Sequence, residues 1–374
     1  MNTARSSDVL VVGAGIAGLS HAIAAVERGL TVTVIDRDAR AVGASIRNFG
    51  HACVTAQSDE LLELATVARE KWLKYGRAAG MFVVESGAIA IARTAAESAV
   101  LEELSASREP GQVRLLTEHE VRQEVGAASD STIRGGALLR DDLRVDPREA
   151  VGALAAWLAE QPGVTFSWRT SFLGATDGTV RTTRGDFRAA RTIVCVGHDL
   201  DRLFPELADV HAVERCALQM ARVEPPTGIT LGPAVLTGTS MLRYPAFAET
   251  DAAAALRVEM AAQHPELVDI VANVMFTQRP DGTLIVGDSH RYAVTQDPFI
   301  AEPTTDTLLD AVARILGVPS LRVIERWQGV YASSARQPFL IAEPEPGVTT
   351  AIVTSGVGMT ISLGLAERTF STFS

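Results

Sequence analysis

The sequence predicts an α/β protein of two interleaved lobes: one doubly wound on a mostly parallel sheet, the other α+β on an antiparallel sheet. Three observations carry the prediction. A complete strand, helix and strand unit opens the chain, with the run Asp8-Val-Leu-Val-Val-Gly-Ala-Gly-Ile-Ala-Gly18 at its first turn. A second glycine-rich strand-to-helix turn, Ser355-Gly-Val-Gly-Met-Thr360, lies near the other end. Between them, from Cys216 to about Arg326, the pattern changes to short strand-like runs.

The first unit can be justified residue by residue. Val9–Val12 is an apolar run ending at Gly13, and Ile16–Arg28 carries small and apolar residues at helical spacing until Gly29. Thr31–Ile35 alternates β-branched residues and ends in Asp36, an acid about 20 residues past the glycines that can accept ribose hydroxyls. Gly13 permits the tight turn, Gly15 lets backbone approach a pyrophosphate, and Gly18 lets helix pack closely on strand. Ile16 and Ala17 open the helix whose free N–H groups face that anion. Asp36 at the strand end, where an arginine would suit a 2′-phosphate, disfavours NADP. Two glycine-rich turns at opposite ends suggest two contacts with one long cofactor, which favours FAD over NAD and makes redox chemistry the default. The first lobe is thus expected to be a Rossmann-like FAD-binding domain of the glutathione-reductase type.

Further along, Gly43-Ala-Ser-Ile-Arg-Asn-Phe-Gly-His51 fits neither period and reads as a loop of functional character. A helix is expected from about Glu60 to Gly76, and Asp146-Pro147 starts another from about Arg148 to Glu160. Strands are expected at Val164–Trp168, Thr179–Thr183 and Thr192–Val196, then at Ala217–Val223, Leu236–Tyr244, Val271–Gln278 and Leu284–Gly287, with a helix from Thr250 to about Ala262. Pro280-Asp-Gly282 is a turn between the last two strands. The expected division is a discontinuous FAD-binding domain of 1–80, 145–215 and 327–374, and a substrate domain of 81–144 and 216–326.

Composition excludes other classes. With 34 basic and 45 acidic residues, a net charge of −11 argues against a nucleic-acid partner. No segment reaches the ~18 uninterrupted apolar residues of a membrane span, and residues 1–7 contain no signal-like apolar stretch, so a cytoplasmic enzyme is expected. Three cysteines without CxxC spacing read as buried thiols, with no metal site. The only lysines are Lys71 and Lys74, so any mechanism needing a lysine has two candidates.

With both glycine-rich ends and the Asp146-Pro147 helix placed, the chain resembles the D-amino-acid oxidase superfamily of FAD enzymes, which includes glycine and sarcosine oxidases. Arg47-Asn-Phe-Gly50, Leu242-Arg-Tyr-Pro-Ala-Phe247, Gly287-Asp-Ser-His290 and Trp327-Gln-Gly-Val-Tyr-Ala332 resemble a bacterial subgroup associated with phosphonate breakdown. The resemblance implies that Gly13, Gly15, Gly18, Asp36 and Arg37 hold the ADP half of FAD. It implies that Ser45, Arg47, Asn48 and Gly50 lie beside the pyrophosphate and ring, that Phe172 contacts adenine through its backbone, and that Gly197 lines the ribityl chain. Gly356, Val357, Gly358, Met359 and Thr360 would face the flavin N1/C2 carbonyl edge, where helix N–H groups stabilise the negative charge of the reduced ring.

One departure is visible. Glycine oxidase and its close relatives carry an arginine in a Gly-Leu-Arg-Pro motif that grips the substrate carboxylate, and this chain has Gly329-Val-Tyr331-Ala. The candidate cations for an anionic group are then Arg243, Arg291 and Arg336, with Tyr244, His290 and Tyr331 as hydrogen-bond donors. For His51 three readings stand open: non-covalent contact with the flavin, which is preferred, covalent attachment to it, or packing of the loop.

The leading expectation is FAD-dependent oxidation of the C–N bond of a small anionic amine, such as (N-methyl-)2-aminoethylphosphonate, by hydride transfer to flavin N5. The imine would hydrolyse to an aldehyde such as phosphonoacetaldehyde, with O2 as electron acceptor giving H2O2. Arg47 or His51 would supply the positive charge that oxidases place near the ring; without one the enzyme is a dehydrogenase. The alternatives are an oxidase of glycine- or sarcosine-like amino acids, a 2-hydroxy-acid dehydrogenase, and a non-catalytic flavin-binding protein.

Overall fold

The computed structural model describes residues 5–126 and 129–373. Val164–Trp168, Val32–Asp36, Arg5–Val12 and Phe187–Val194 lie side by side as parallel strands. Val348–Val353 continues the parallel sheet along the C-terminal half of Phe187–Val194, and Phe339–Glu345 pairs antiparallel beyond it. Thr179–Thr182 and Phe172–Thr176 add an antiparallel hairpin to the other half.

At the centre of this sheet both faces are buried, so Val9–Val12 and Val32–Ile35 are buried at every position where a one-sided sheet would alternate with exposed residues. Val9, Val11, Val32 and Val34 pack against the helices Ile16–Glu27, Asp59–Ala78, Pro147–Ala159 and Gly358–Ser371. Leu10, Val12 and Ile35 point the other way, onto Phe172, Val180 and Phe187. Asp146 caps the Pro147–Ala159 helix by accepting from the Arg148 N–H at 3.0 Å, as Pro at the first helical position invites.

Two helices of this layer approach closely at Gly364, where an added Cβ would stand 2.1 Å from the Leu64 carbonyl oxygen on the neighbouring helix. Gly364→Ala must separate the two helices and is expected to cost about 1–3 kcal/mol of stability, read as a lower urea midpoint at unchanged slope.

The second sheet runs Arg291–Ala293, Glu214–Val223, Leu284–Gly287, Met275–Gln278, Ala234–Leu236, Ala88–Ala92, Gly135–Leu139 and Val113–Thr117, with Val323–Ser333 also paired to Glu214–Val223. Its pairs are antiparallel except between Ala234–Leu236 and Ala88–Ala92. Period two divides Glu214–Val223 between two environments. Ala221 and Val223 join the core under the helices Ala95–Ser107, Ala252–Gln263 and Glu302–Leu316, whereas Cys216, Leu218 and Met220 face Phe49 and Met275. A third small sheet, His51–Ala52, Leu143–Val145 and Val83–Val84, ties the lobes together.

Three expectations need correction. Leu236–Tyr244 is not one strand: the strand Ala234–Leu236 stops at Thr237, which caps the short helix Gly238–Met241, and Pro245 starts another at Pro245–Ala248. The strand expected from Val271 begins at Met275, after a turn with Val271 at φ +47°. Trp327–Ser333, assigned to the FAD-binding lobe, lies within the 11-residue strand Val323–Ser333 of the second sheet, paired to Glu214–Val223 from end to end. Among the described residues no helix is long and apolar enough to cross a membrane.

Candidate functional site

A cleft of ≈ 420 Å³ lies between the two large sheets, outside the carboxyl ends of the Arg5–Val12, Val32–Asp36 and Phe187–Val194 strands. Both glycine-rich turns open onto it, as the switch point of a doubly wound sheet requires.

On the first turn, Gly13 adopts φ +102° and an added Cβ would meet the Cys195 carbonyl oxygen at 2.6 Å. The Ile16–Glu27 helix has no side chain bonded to its end as an N-cap from Gly15, but Ser45 reaches across from the 43–51 loop and its Oγ accepts from the Ile16 N–H at 2.9 Å. Asp36 accepts from the N–H groups of Ala14 at 2.7 Å and Asp38 at 2.8 Å. Burial raises its pKa against those hydrogen bonds. Arg37 pairs with Asp199 at 2.7 Å, and with Ala17, Phe172 and Gly197 it lines the same end of the cleft.

Gly18 and Gly50 are absent from the cleft wall. An added Cβ at Gly18 would lie 1.8 Å from the Gly13 carbonyl oxygen, and one at Gly50 would lie 1.9 Å from that of Val145. Gly18 thus packs helix on turn and strand and stands behind the cleft, although the resemblance placed it with the ADP half of FAD; Gly50 also stands behind the cleft, where it was expected beside the pyrophosphate and ring. Asn48 holds the loop turn, donating to Ala44 and Ser45 carbonyls and accepting from the Gly50 N–H at 2.9 Å. Arg47 donates to the Gln328 carbonyl at 3.2 Å, which fastens the loop to the Val323–Ser333 strand.

The second turn enters the Gly358–Ser371 helix without a side-chain cap, so Gly356, Val357, Gly358 and Met359 present backbone to the cleft. Thr360 Oγ1 accepts from the Cys53 N–H at 3.1 Å, and the buried Trp72 indole donates to the Met359 carbonyl at 2.7 Å. Tyr331 packs flat on Gly356, whose added Cβ would meet the phenol ring at 2.9 Å. The residues present suit FAD: two helix N-termini face one cleft, and both are entered through glycine turns that line it.

His51 is 8 % exposed and lines the cleft. Its Nε2 is 2.8 Å from Asp142, which also accepts from the Thr55 N–H, so the ring is held edge-on to a fixed carboxylate. Its Nδ1 has no partner among the described residues. Cys53 is close enough to both to suggest a metal group, but burial pushes its thiol well up, which disfavours the thiolate a metal needs.

Across the cleft, Arg243 donates to the Tyr331 hydroxyl at 2.7 Å and to the Tyr292 hydroxyl at 3.3 Å. Burial works against its charge, but facing Tyr331, Tyr292 and Asp288 it is held above its ordinary pKa. Burial raises the Tyr331 and Tyr244 hydroxyls, which stay protonated. Tyr244 donates to the Met275 sulfur at 3.6 Å, and His290 lines the wall with Nδ1 at 2.8 Å from the Val271 carbonyl.

Two arginines expected here lie elsewhere. Arg291 is exposed, bonded to Gln296 and to the Asp297 carbonyl, because its strand Arg291–Ala293 points that side chain away from the sheet interior. Arg336 is exposed and bonded to the Val210 carbonyl. Both lysines are also remote, Lys71 pairing with Glu27 and Glu367, Lys74 with Glu27.

Sequence reasoning missed Asp288 and Asn273, both on the cleft wall. Asp288 is 4 % exposed, and burial pushes its carboxyl up to about 7 against the attraction of Arg243. The motif Gly287-Asp-Ser-His290 was the available signal for Asp288.

The comparisons agree with this architecture. Residues 8–371 match the model of the family described as DAO, FAD dependent oxidoreductase. Among solved structures, glycine oxidase from Geobacillus kaustophilus superposes with a TM-score of 0.76 at 19% identity, covering 97% of this chain and 95% of that one. L-proline dehydrogenase from P. horikoshii gives 0.79 at 19% identity, covering 99% and 94%. Iminodiacetate oxidase from Chelativorans sp. BNC1 gives 0.76 at 19% identity, covering 96% and 94%. No curated protein sequence matches the chain. A match over nearly the whole length, on a fold whose two glycine turns share one cleft, shows that the chain belongs to the DAO family of FAD-dependent oxidoreductases.

Proposed function

We propose that the chain oxidises the C–N bond of a small amine with an anionic head, an aminoalkylphosphonate such as 2-aminoethylphosphonate or its N-methyl form. The observation that carries this reading is Arg243. It is a partly buried cation on the cleft wall opposite the glycine turns, with two tyrosine hydroxyls already aligned on its guanidinium. A phosphonate offers three oxygens to such a group of donors. Glycine oxidase and iminodiacetate oxidase bear names of amines with acidic heads, which supports the same class.

FAD, when bound, supplies the acceptor of the hydride. The chain's residues bind and orient. Arg243 and Tyr331 hold the head group, Leu218 and Met275 provide an apolar wall, and the uncapped helix at Gly358 favours negative charge at its N-terminus. The substrate imine then hydrolyses with water to an aldehyde, phosphonoacetaldehyde for these substrates, and ammonia, or methylamine for the N-methyl form. We assign O2 as the electron acceptor, with Arg47 the charged candidate beside the ring and His51 a second candidate on the cleft wall, and FAD as non-covalently held.

The test is the visible spectrum of the holoenzyme under anaerobic conditions with 2-aminoethylphosphonate, its N-methyl form, glycine, sarcosine and 2-hydroxy acids added separately. Bleaching by the phosphonates alone is expected. Bleaching by glycine or sarcosine alone makes the head group a carboxylate, and bleaching by 2-hydroxy acids but no amine overturns the proposal.

A further inference from the structure

We infer that Asp288 and His290 form the amine subsite: the substrate ammonium bridges the Asp288 carboxylate and His290 Nε2, and Asp288 takes the proton that leaves nitrogen before oxidation. The inference rests on the proposed amine chemistry and deepens it.

His290 has a fixed tautomer. A carbonyl oxygen only accepts, so the 2.8 Å contact with Val271 assigns the ring proton to Nδ1. Burial and the nearby Arg243 hold the ring neutral, its pKa well below the ordinary value. Nε2 is therefore a bare acceptor. It stands 3.8 Å from Asp288 Oδ2, too far for a hydrogen bond between the two. Asp288 Oδ1 has no hydrogen-bond partner among the described residues, although the group is 4 % exposed. Two acceptors on one cleft wall, Asp288 Oδ2 and His290 Nε2, spaced to share one donor group, describe a site for a group with more than one N–H bond. A primary or a secondary ammonium has at least two, one for each acceptor at about 2.9 Å.

The backbone fixes the pair. Asp288 and Asn273 exchange N–H to carbonyl bonds at 2.7 and 2.8 Å, and Ser240 donates to Asn273 Oδ1 at 2.7 Å. Arg243 faces the same space, so one wall presents a cation for the head group and an anion for the amine. That polarity suits a zwitterion and opposes a hydroxy acid, which brings no cation.

The chemistry requires a proton acceptor. An ammonium has no lone pair to assist loss of hydride from the adjacent carbon. When the N–H bond breaks, its electron pair stays on nitrogen and the proton joins Asp288 as a neutral carboxyl, which returns it to solvent after turnover. The other titratable groups facing Asp288 hold one state near neutral pH: Arg243 stays charged, Tyr244 and Tyr331 stay protonated, His290 stays neutral, and burial pushes Cys216 up to about 11. Tyr292 also faces the group, bonded to Arg243. Asp288, raised to about 7, is thus the group whose ionisation sets the acid limb. Below that pH the carboxyl already carries its proton and cannot accept another, so the rate falls as pH falls.

The experiment compares wild-type holoenzyme with Asp288→Asn in two measurements. One is the anaerobic flavin reduction rate with 2-aminoethylphosphonate from pH 6 to 9. The other is the affinity for ethylphosphonate, the same anion without the amine, followed by perturbation of the flavin band; glycine and acetate replace the pair if glycine is the amine that bleaches. The wild type is expected to show an acid limb near pH 7 in the second-order reduction rate. The variant is expected to lose that limb and at least about 100-fold in rate, with ethylphosphonate binding unchanged or tighter. An unchanged limb in the variant overturns the role of Asp288 and leaves the amine reading standing. Equal loss of reduction and of ethylphosphonate binding also overturns it, because the residue would then be structural. A wild type reduced by no amine removes both readings.

Discussion

Arg243→Ala is expected to weaken binding of ethylphosphonate by about 1.5–3 kcal/mol, on the order of 10- to 150-fold in Kd, with the flavin still bound. The guanidinium is charged, partly buried and the arginine nearest the tyrosine pair, so its loss removes a charge-assisted contact and leaves Tyr331 and Tyr292 without their donor. Arg243→Lys is expected to recover only part of the affinity, because an ammonium is a point charge and cannot keep the planar fork that serves two hydroxyls. Arg291→Ala is the matched control and is expected to leave Kd unchanged, since Arg291 is exposed and spends its donors on Gln296 and Asp297. Titration of the flavin absorbance with ethylphosphonate reads all three. A wild-type Kd in Arg243→Ala would remove this residue from the anion site.

Gly18→Ala is expected to yield protein that purifies largely without flavin. The new Cβ would sit 1.8 Å from the Gly13 carbonyl oxygen and 3.3 Å from a Val11 methyl, both on the rigid strand and turn. The helix must lift, carrying the Gly13 to Gly15 turn with it, at a cost of about 1–3 kcal/mol. That displacement strikes the pyrophosphate cradle directly, because the Ile16 N–H is bonded to Ser45 and the Ala14 N–H to Asp36. Gly152→Ala provides the contrast. Gly152 is exposed on the Pro147–Ala159 helix with nothing within 4 Å of an added Cβ, so alanine there is expected to raise stability by about 0.4–1 kcal/mol. The flavin-to-protein absorbance ratio and the urea midpoint distinguish the two substitutions. Full flavin content in Gly18→Ala would show that the cradle tolerates the shift.

The parts of the molecule legible in the sequence are those whose causes are local. The first βαβ unit follows from periodicity, from Gly13, whose φ of +102° favours glycine, and from Gly18, whose added Cβ would meet the nearby Gly13 carbonyl. The Asp146-Pro147 start of a helix follows from cap chemistry, and the expected helix near Glu60 extends as Asp59–Ala78. The family's cofactor is legible for the same reason, since a dinucleotide is held by backbone at two turns the sequence marks with glycine. The apolar run through Leu236 to Tyr244 was not legible, because a short buried helix and a buried strand show the same composition until Thr237 and Pro245 act as caps.

What only the tertiary structure decided is the assignment of charge to place. Arg243, Arg291 and Arg336 are equivalent in the sequence, yet packing turns one toward Tyr331 and leaves the other two in water. Asp288 has an ordinary sequence setting, and only burial in the folded chain pushes its carboxyl up to about 7, against the attraction of Arg243 and a hydrogen bond from Asn273. Trp327–Ser333 likewise joined the second sheet because Glu214–Val223, about a hundred residues earlier, offers a partner over its whole length. Steric and periodic constraints act between neighbours in the chain and can be read there; desolvation and ion placement act between neighbours in space, and exist only once the chain has folded.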